Sequence, residues 1–406
     1  MIDAPSHHVV IVGGGVAGLE AMLALRNLAP ESARVTLIAP DEEFVYSPLS
    51  TGEPFSLTQV TRYSTARLAA EGGAQWHKDA VVSVDPGVGA VRTVNGEEHR
   101  YDSLLVALGA ERQTALEPAL TFADERSVPG YRDLLERLRS GQAHSVAFLV
   151  PRGVVWPFPL YELALMTGEV VRDEDLDVAL TLVTPASAPL ALFGRPAAEA
   201  MQSMLAERSV KVIAGNVPTR VTAPGRVLLE PDGYVLNADA LVALPELRGP
   251  HLPGLPATSE GFIPVDEHAR VRGLDDVYAA GDCTDFAIKQ GGLAAQEADV
   301  AVGQIVARLE GRTVDPEPLV LRGVLLTGGE RAYLHTSERE HADAVISGHA
   351  LWWPPTKIAG RYLAPHLGMA DERARLEREA ADRGIEVEIP LHASGLRLHD
   401  IARELG

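Results

Sequence analysis

The chain has 406 residues, 46% of them hydrophobic and 23% charged, long enough for two or three domains with separate cores. Fifty-six acidic against 36 basic side chains give a formal net charge of −20, which argues against nucleic acid as a partner because phosphate binding needs a basic face. The plain use of that charge is a well-solvated acidic surface. No run of eighteen apolar residues occurs, so no spanning helix is expected. Met1 to His8 lacks the basic start and apolar run of a signal peptide. The lone Cys283 rules out an intramolecular disulfide, and a reducing cytoplasm is the expected setting.

The first informative segment is Val9-Val10-Ile11-Val12, followed by Gly13-Gly14-Gly15-Val16-Ala17-Gly18 and then helical apolar spacing from Leu19. A strand, a glycine turn and a helix start form a pyrophosphate cradle. The glycines permit a tight turn and close backbone approach, and the helix N-terminus presents N–H groups and positive dipole to the anion. Val35 to Ala39 reads as the second strand. Dinucleotide folds usually end it with Asp or Glu for a ribose hydroxyl. Here Ala39 and Pro40 stand there, leaving Asp41, Glu42, backbone or water to serve.

Val81–Asp85 and Val91–Val94 read as a hairpin, with Asn95-Gly96 as a turn. Tyr101 to Ala107-Leu108-Gly109-Ala110 is another strand ending at glycine. Val128-Pro129-Gly130 marks an exit from the first domain, followed by an amphipathic helix over Tyr131–Arg139. Ser145–Val150 opens a second nucleotide-type fold that ends near Leu241–Pro245. Pro250 to Pro256 is a Pro- and Gly-rich return linker. The expected division is 1–130 with 250–320, an inserted 131–249, and a C-terminal portion over 321–406. That last portion includes Trp352-Trp353-Pro354-Pro355, a stretch rich in Glu and Arg, and a short strand at Val387–Pro390.

The late segment Val277-Tyr278-Ala279-Ala280-Gly281-Asp282 turns the nucleotide reading into a flavin one. A short apolar strand ends in Gly-Asp, and a helix starts at Gly291-Gly292. A carboxylate there accepts hydrogen bonds from a sugar-alcohol chain. Three motifs in this order, over about the first 320 residues, resemble the flavoproteins with two dinucleotide-binding domains. That group comprises the pyridine nucleotide-disulfide oxidoreductases, the type II NADH dehydrogenases and the sulfide:quinone oxidoreductases. The resemblance implies an α/β fold of two Rossmann-like domains, the second inserted in the first, with non-covalent FAD as cofactor.

Several site assignments follow from the resemblance. The segment around Tyr46, Pro48 and Leu49 is similar to a loop beside the flavin, without the cysteine pair of disulfide-reducing members. The backbone of Val81 meets adenine, or is an ordinary strand residue. Ala39, Ala107, Gly109, Gly281 and Asp282 join Gly13–Gly18 around FAD, and Asp282 holds the ribityl chain. Lys289 and the helix start at Gly292-Leu293 face the reduced ring; alternatively, Lys289 is an exposed loop lysine. Lys289-Gln290-Gly291-Gly292-Leu293-Ala294 is similar to the Lys-x-Gly-Gly-x-Ala of quinone-reducing sulfide oxidoreductases. Trp352-Trp353 falls where such relatives wall a quinone pocket, or serves as plain core. The charge-dominated stretch Met369–Arg383 lacks an apolar face, so peripheral contact is the most that a membrane is expected to make.

The second domain departs from the pattern. Where NADH-using relatives carry Gly-x-Gly-x-x-Gly, this chain has Pro151-Arg152-Gly153-Val154-Val155-Trp156. Proline removes a donor, and tryptophan fills the place where strand and helix approach. Two readings stand: a vestigial structural domain, or a relocated loop that still takes NAD(P)H. Cys283 reads as a buried small hydrophobe rather than a catalytic thiol. The thirteen histidines show no metal spacing, and no metal is assigned. The expectation is an FAD-dependent oxidoreductase exchanging electrons with a quinone or small acceptor, with a homodimer left open. Its rivals are an NAD(P)H dehydrogenase and a low-turnover flavin-binding regulatory or scaffold protein.

Overall fold

A computed structural model describes residues 7–154, 156–328, 345–347, 356–367 and 384–391. The first sheet is parallel, in the order Val277–Ala279, Ser103–Val106, His7–Val12, Ala33–Ile38, Gln75–His77. Val9, Val10, Ile11 and Val12 are essentially unexposed. A strand buried on both faces needs such a continuous β-branched run, whereas a half-solvated strand alternates. Ala33–Ile38 and the later Ser103–Val106 flank this strand on opposite sides. The turn at Gly13 therefore sits at a topological switch point, where open α/β sheets place ligands.

The helix Val16–Leu28 packs on the long helix Gly291–Leu309, so the glycine turn and the late Gly-Asp turn are brought side by side. Glu20 is the exception in the apolar face of the first helix. It is fully buried and accepts from the backbone N–H groups of Tyr362 and Leu363, each at 2.7 Å, fixing the segment 356–367 against the first domain. Burial pushes its carboxyl upward, and the hydrogen bonds oppose that shift.

The second sheet is also parallel, in the order Leu120–Thr121, Ala240–Ala243, Ser145–Leu149, Ala179–Thr184, Val210–Ala214. Its edge strand starts ten residues before the exit expected at Gly130. Val128-Pro129-Gly130 instead opens the helix Val128–Arg139, because proline fits the first helical turn, where its missing donor costs nothing. The two crossings between domains pair with each other, Glu111–Gln113 antiparallel to Glu246–Arg248.

Each domain carries a three-stranded antiparallel ribbon. In the first, Val81–Asp85 pairs with Ala90–Thr93 as expected, but Pro86–Gly89 closes that turn. Asn95-Gly96 leads instead to a third strand, Glu98–Arg100. Past the long helix, Leu319–Leu326 pairs antiparallel with Gly384–Leu391, which contains the expected Val387–Pro390 strand and also pairs with Val345–Ser347. Trp352-Trp353 and Met369–Arg383 lie outside the described residues.

Candidate functional site

A cleft of about 1190 Å³ runs from the glycine turn, between the two sheets, to the strand Leu319–Leu326 and Lys357. Ordinary ligand sites occupy about 300–1,000 Å³, so there is room for a dinucleotide and a second small molecule.

The glycine turn fits a pyrophosphate for stated steric reasons. Gly13 has φ +111°, and a Cβ there would lie 2.2 Å from the Ala107 carbonyl oxygen. At Gly18 a Cβ would lie 1.9 Å from the Gly13 oxygen, and at Gly14 it would lie 2.9 Å from the Ala39 Cβ. At Gly15 it would meet nothing within 4 Å, because that position opens on the cleft. Gly15 is also the N-cap of the first helix and supplies no side-chain cap, so the helix N-terminus is left to an anion.

Of the residues that the sequence assigns to the site, Gly13, Gly14, Gly15, Val16, Ala17, Pro48, Ala107, Gly109, Gly281, Asp282 and Lys289 line the cleft. Gly18, Ala39, Val81, Gly292 and Leu293 stand behind the wall. Ala39 is buried against Gly14, donates to the His77 carbonyl at 3.1 Å and accepts from the Trp76 indole at 3.0 Å. Ala39 offers no carboxylate to a ribose; Asp41 and Glu42 line the cleft instead. Val81 belongs to the ribbon. The Leu293 N–H is taken by the Gln290 side chain at 2.8 Å, so it is not free to face a reduced ring; Gln290 and Gly291 are the lining residues at that helix start.

The late turn is built around a buried carboxyl. Gly281, at φ +82°, fits between Ala17 and Ala294 and donates to Glu297 at 2.7 Å. Thr284 donates to the same oxygen at 3.3 Å. Burial pushes the Glu297 carboxyl up to about 7, against the pull of Lys289 and these bonds. Asp282 makes no hydrogen bond among the described residues and opens on the cleft, as a group awaiting hydroxyl donors would. Its carboxyl is raised by burial, opposed by Lys289 and Arg112. Lys289 is no exposed loop lysine. Its ammonium donates to the Thr284 carbonyl and lies 4.2 Å from the centre of the Phe262 ring. Burial lowers its pKa, while Asp282 and Glu297 oppose that shift.

A second charged cluster was missed from sequence. Lys357 lies 2.7 Å from both oxygens of Glu162, which also accept from Thr51 at 2.7 Å and from the Leu326 N–H at 2.8 Å. The two charged side chains are only 10% and 2% exposed. The one available signal was an acid inside the otherwise apolar run of the helix Phe158–Asp173, since a buried carboxylate needs partners.

The degenerate turn of the second domain offers a pyrophosphate fewer donors than a glycine turn would. Pro151, Pro157 and Pro159 lack donors, and Leu160 and Tyr161 spend theirs on the Pro157 carbonyl at 3.0 and 3.2 Å. The Trp156 ring stacks on Phe158 at 4.2 Å and 9° and tilts against Phe193 at 5.8 Å. Gly323 gives it room: a Cβ there would lie 2.8 Å from Phe158 and 3.3 Å from Trp156.

Cys283 is fully buried, with its sulfur 3.4 Å from the Ala280 carbonyl and 3.5 Å from that of Val106. Burial pushes the thiol up to about 12, so no thiolate forms near neutral pH. Cys283→Ser is expected to leave turnover essentially unchanged; complete loss in steady-state kinetics would contradict this.

The pattern of the pyridine nucleotide-disulphide oxidoreductase family matches residues 7–138 and 163–304. The gap between these two segments takes in the proline-rich turn. The sulfide-quinone reductase of Aquifex aeolicus is 27% identical over 261 residues, 60% of each chain. The alternative NAD(P)H-ubiquinone oxidoreductase C1 of Arabidopsis thaliana is 28% identical, over 80% of this chain and 72% of its own. The solved Aquifex aeolicus sulfide:quinone oxidoreductase superposes with a TM-score of 0.72 at 21% identity, covering 80% of this chain and 82% of its own. The glycine cradle, the late Gly-Asp turn and two-thirds of the sequence agree: the chain belongs to the pyridine nucleotide-disulphide oxidoreductase family, as a flavoprotein oxidoreductase whose cofactor is FAD.

Proposed function

We propose that this oxidoreductase takes electrons from a small donor other than NAD(P)H and passes them to a quinone or similar flat acceptor, without a redox disulfide. The observation that carries the reading is the turn 151–159. Its prolines and the spent N–H groups of Leu160 and Tyr161 remove donors where a second dinucleotide would bind, while the first turn keeps an uncapped helix start. The quinone-acting relatives support the choice of acceptor.

Bound FAD supplies the two-electron chemistry. The chain's own residues do the rest. Gly13–Gly15 and the first helix hold the pyrophosphate, and Asp282 orients hydroxyl groups through its unspent oxygens. Lys289 presents positive charge held in place by the Thr284 carbonyl, and Asp282 and Glu297 oppose the loss of that charge on burial. Trp156 and Phe158 give the far side of the cleft an apolar aromatic wall. A cytoplasmic setting, membrane contact no deeper than the surface and a homodimer belong to the same proposal. Among the described residues no helix is long and apolar enough to cross a membrane.

Anaerobic titration of the holoprotein is the test. NADH and NADPH are expected to leave the flavin oxidised and to show no binding by calorimetry, whereas reduced flavin, prepared photochemically, is expected to reoxidise on adding a soluble quinone. Micromolar binding of either nucleotide with rapid bleaching would replace this reading with an NAD(P)H dehydrogenase. Failure of every donor and acceptor with flavin bound would favour a low-turnover flavin-binding protein.

The raised carboxyl of Glu297 carries a pH prediction. A group whose pKa is higher folded than unfolded keeps its proton longer in the native state, so stability declines as pH rises from the ordinary 4.5 toward about 7. In Glu297→Gln that decline should be shallower in denaturant melts across this range; an unchanged slope would assign it to other groups.

A further inference from the structure

Two histidines and a glutamate meet at the edge of the first sheet, and the redox reading uses none of them. His77 ends the edge strand Gln75–His77, Glu97 follows the Asn95-Gly96 turn, and His99 lies in Glu98–Arg100. His77 Nδ1 lies 4.0 Å and His99 Nε2 3.5 Å from the same Glu97 oxygen. The two rings meet edge-on with centroids 4.6 Å apart. One ligand atom from each residue falls within 4.8 Å of both others. His99 Nε2 is sealed from solvent and makes no hydrogen bond, although buried polar atoms ordinarily do.

We propose that His77, Glu97 and His99 bind one divalent transition-metal ion of the zinc class. Two imidazoles and a carboxylate are a zinc donor set, and three protein ligands leave the fourth position to water. Zinc holds nitrogen and oxygen at about 2.0–2.2 Å, so tetrahedral ligand atoms lie about 3.3 Å apart. Closing the cluster therefore requires a movement of about 1.5 Å or less. Glu97 can close its own two gaps, because its side chain is 63% exposed and follows Gly96, whose φ is +84°; the remaining gap between the imidazoles needs His77, whose side chain is 27% exposed, to turn toward His99. The ion would satisfy the orphaned nitrogen of His99 and join the sheet edge to the ribbon. The linkage extends inward, because the His77 carbonyl accepts from Ala39, which packs on Gly14.

The sequence conceals the site because 22 positions separate the histidines; Glu97 and His99 lie two apart in the chain, and the fold alone brings His77 to them. The test is calorimetric titration of chelator-treated holoprotein with zinc chloride, with magnesium chloride in parallel. Expected are one zinc per chain, no magnesium binding, and at least a tenfold weaker Kd in both Glu97→Gln and His99→Ala. A zinc-dependent rise in melting temperature should vanish in the same variants, and flavin absorbance should not change. Glu97 is exposed, so Glu97→Gln keeps the test valid if His99→Ala folds poorly. A His7→Ala/His8→Ala variant should bind zinc like the parent. No zinc binding, or equal binding in Glu97→Gln, overturns the proposal, and loss of binding in the His7/His8 variant would move the site to the amino terminus.

Discussion

Gly13→Ala is expected to destabilise the protein by several kcal/mol and to yield material without flavin. The new methyl would lie 2.2 Å from a backbone carbonyl oxygen of the neighbouring strand, which no side-chain rotation relieves. Overpacking and a disallowed backbone angle each cost about 1–3 kcal/mol. The clash falls between the central strands, so the sheet and the cradle are lost together. Gly15→Ala is the necessary contrast. A methyl there meets no protein atom and costs less than about 1 kcal/mol as a poorer helix cap. It projects into the cleft, however, so the folded protein should retain FAD less well. Thermal melts and flavin content of both variants separate folding from binding. Equal effects of the two substitutions on stability would contradict the geometry.

The second large effect concerns Glu162 and Lys357. Removing one member of a buried ion pair leaves an uncompensated charge and costs about 3–5 kcal/mol, whereas replacing both by apolar residues of similar size is often nearly neutral. Lys357→Met strands a carboxylate still held by Thr51 and the Leu326 N–H; Glu162→Leu strands an ammonium and two donors. Either single variant should show a large fall in unfolding free energy. The double variant should recover much of it, with a coupling energy above the 0.5 kcal/mol threshold of independent sites. Additive losses would show that the pair contributes no mutual stabilisation. The junction joins four segments: the turn Ser47–Phe55, the helix Phe158–Asp173, the strand Leu319–Leu326 and residue 357. Losing it should therefore loosen the cleft wall as well as the fold.

What the chain revealed in advance was local in sequence. Val9–Gly18 is a contiguous strand, turn and helix start; Gly13, Gly14 and Gly18 each answer to a clash within that turn or with a neighbouring strand, and Gly15 opens on the cleft. The same holds for Gly281-Asp282 and for the damaged turn after Val150, where the prolines announce their missing donors. The helix start at Gly292-Leu293 was misjudged because the capping role of Gln290 depends on a rotamer. Ala39 supplies no carboxylate, and its packing against Gly14 is visible only once two strands are paired. Glu162 and Lys357 are 195 positions apart, and Glu20 meets Tyr362 across 342. A buried acid in a helix signals that a partner exists but not where in the chain to find it.

The most direct measurement is the absorption spectrum of the freshly purified, folded protein, followed by chromatography of the released pigment. A yellow protein that yields one FAD per chain, and recovers it after deflavination, is the predicted result. Well-folded, colourless protein that takes up no FAD on reconstitution would contradict the account at its base.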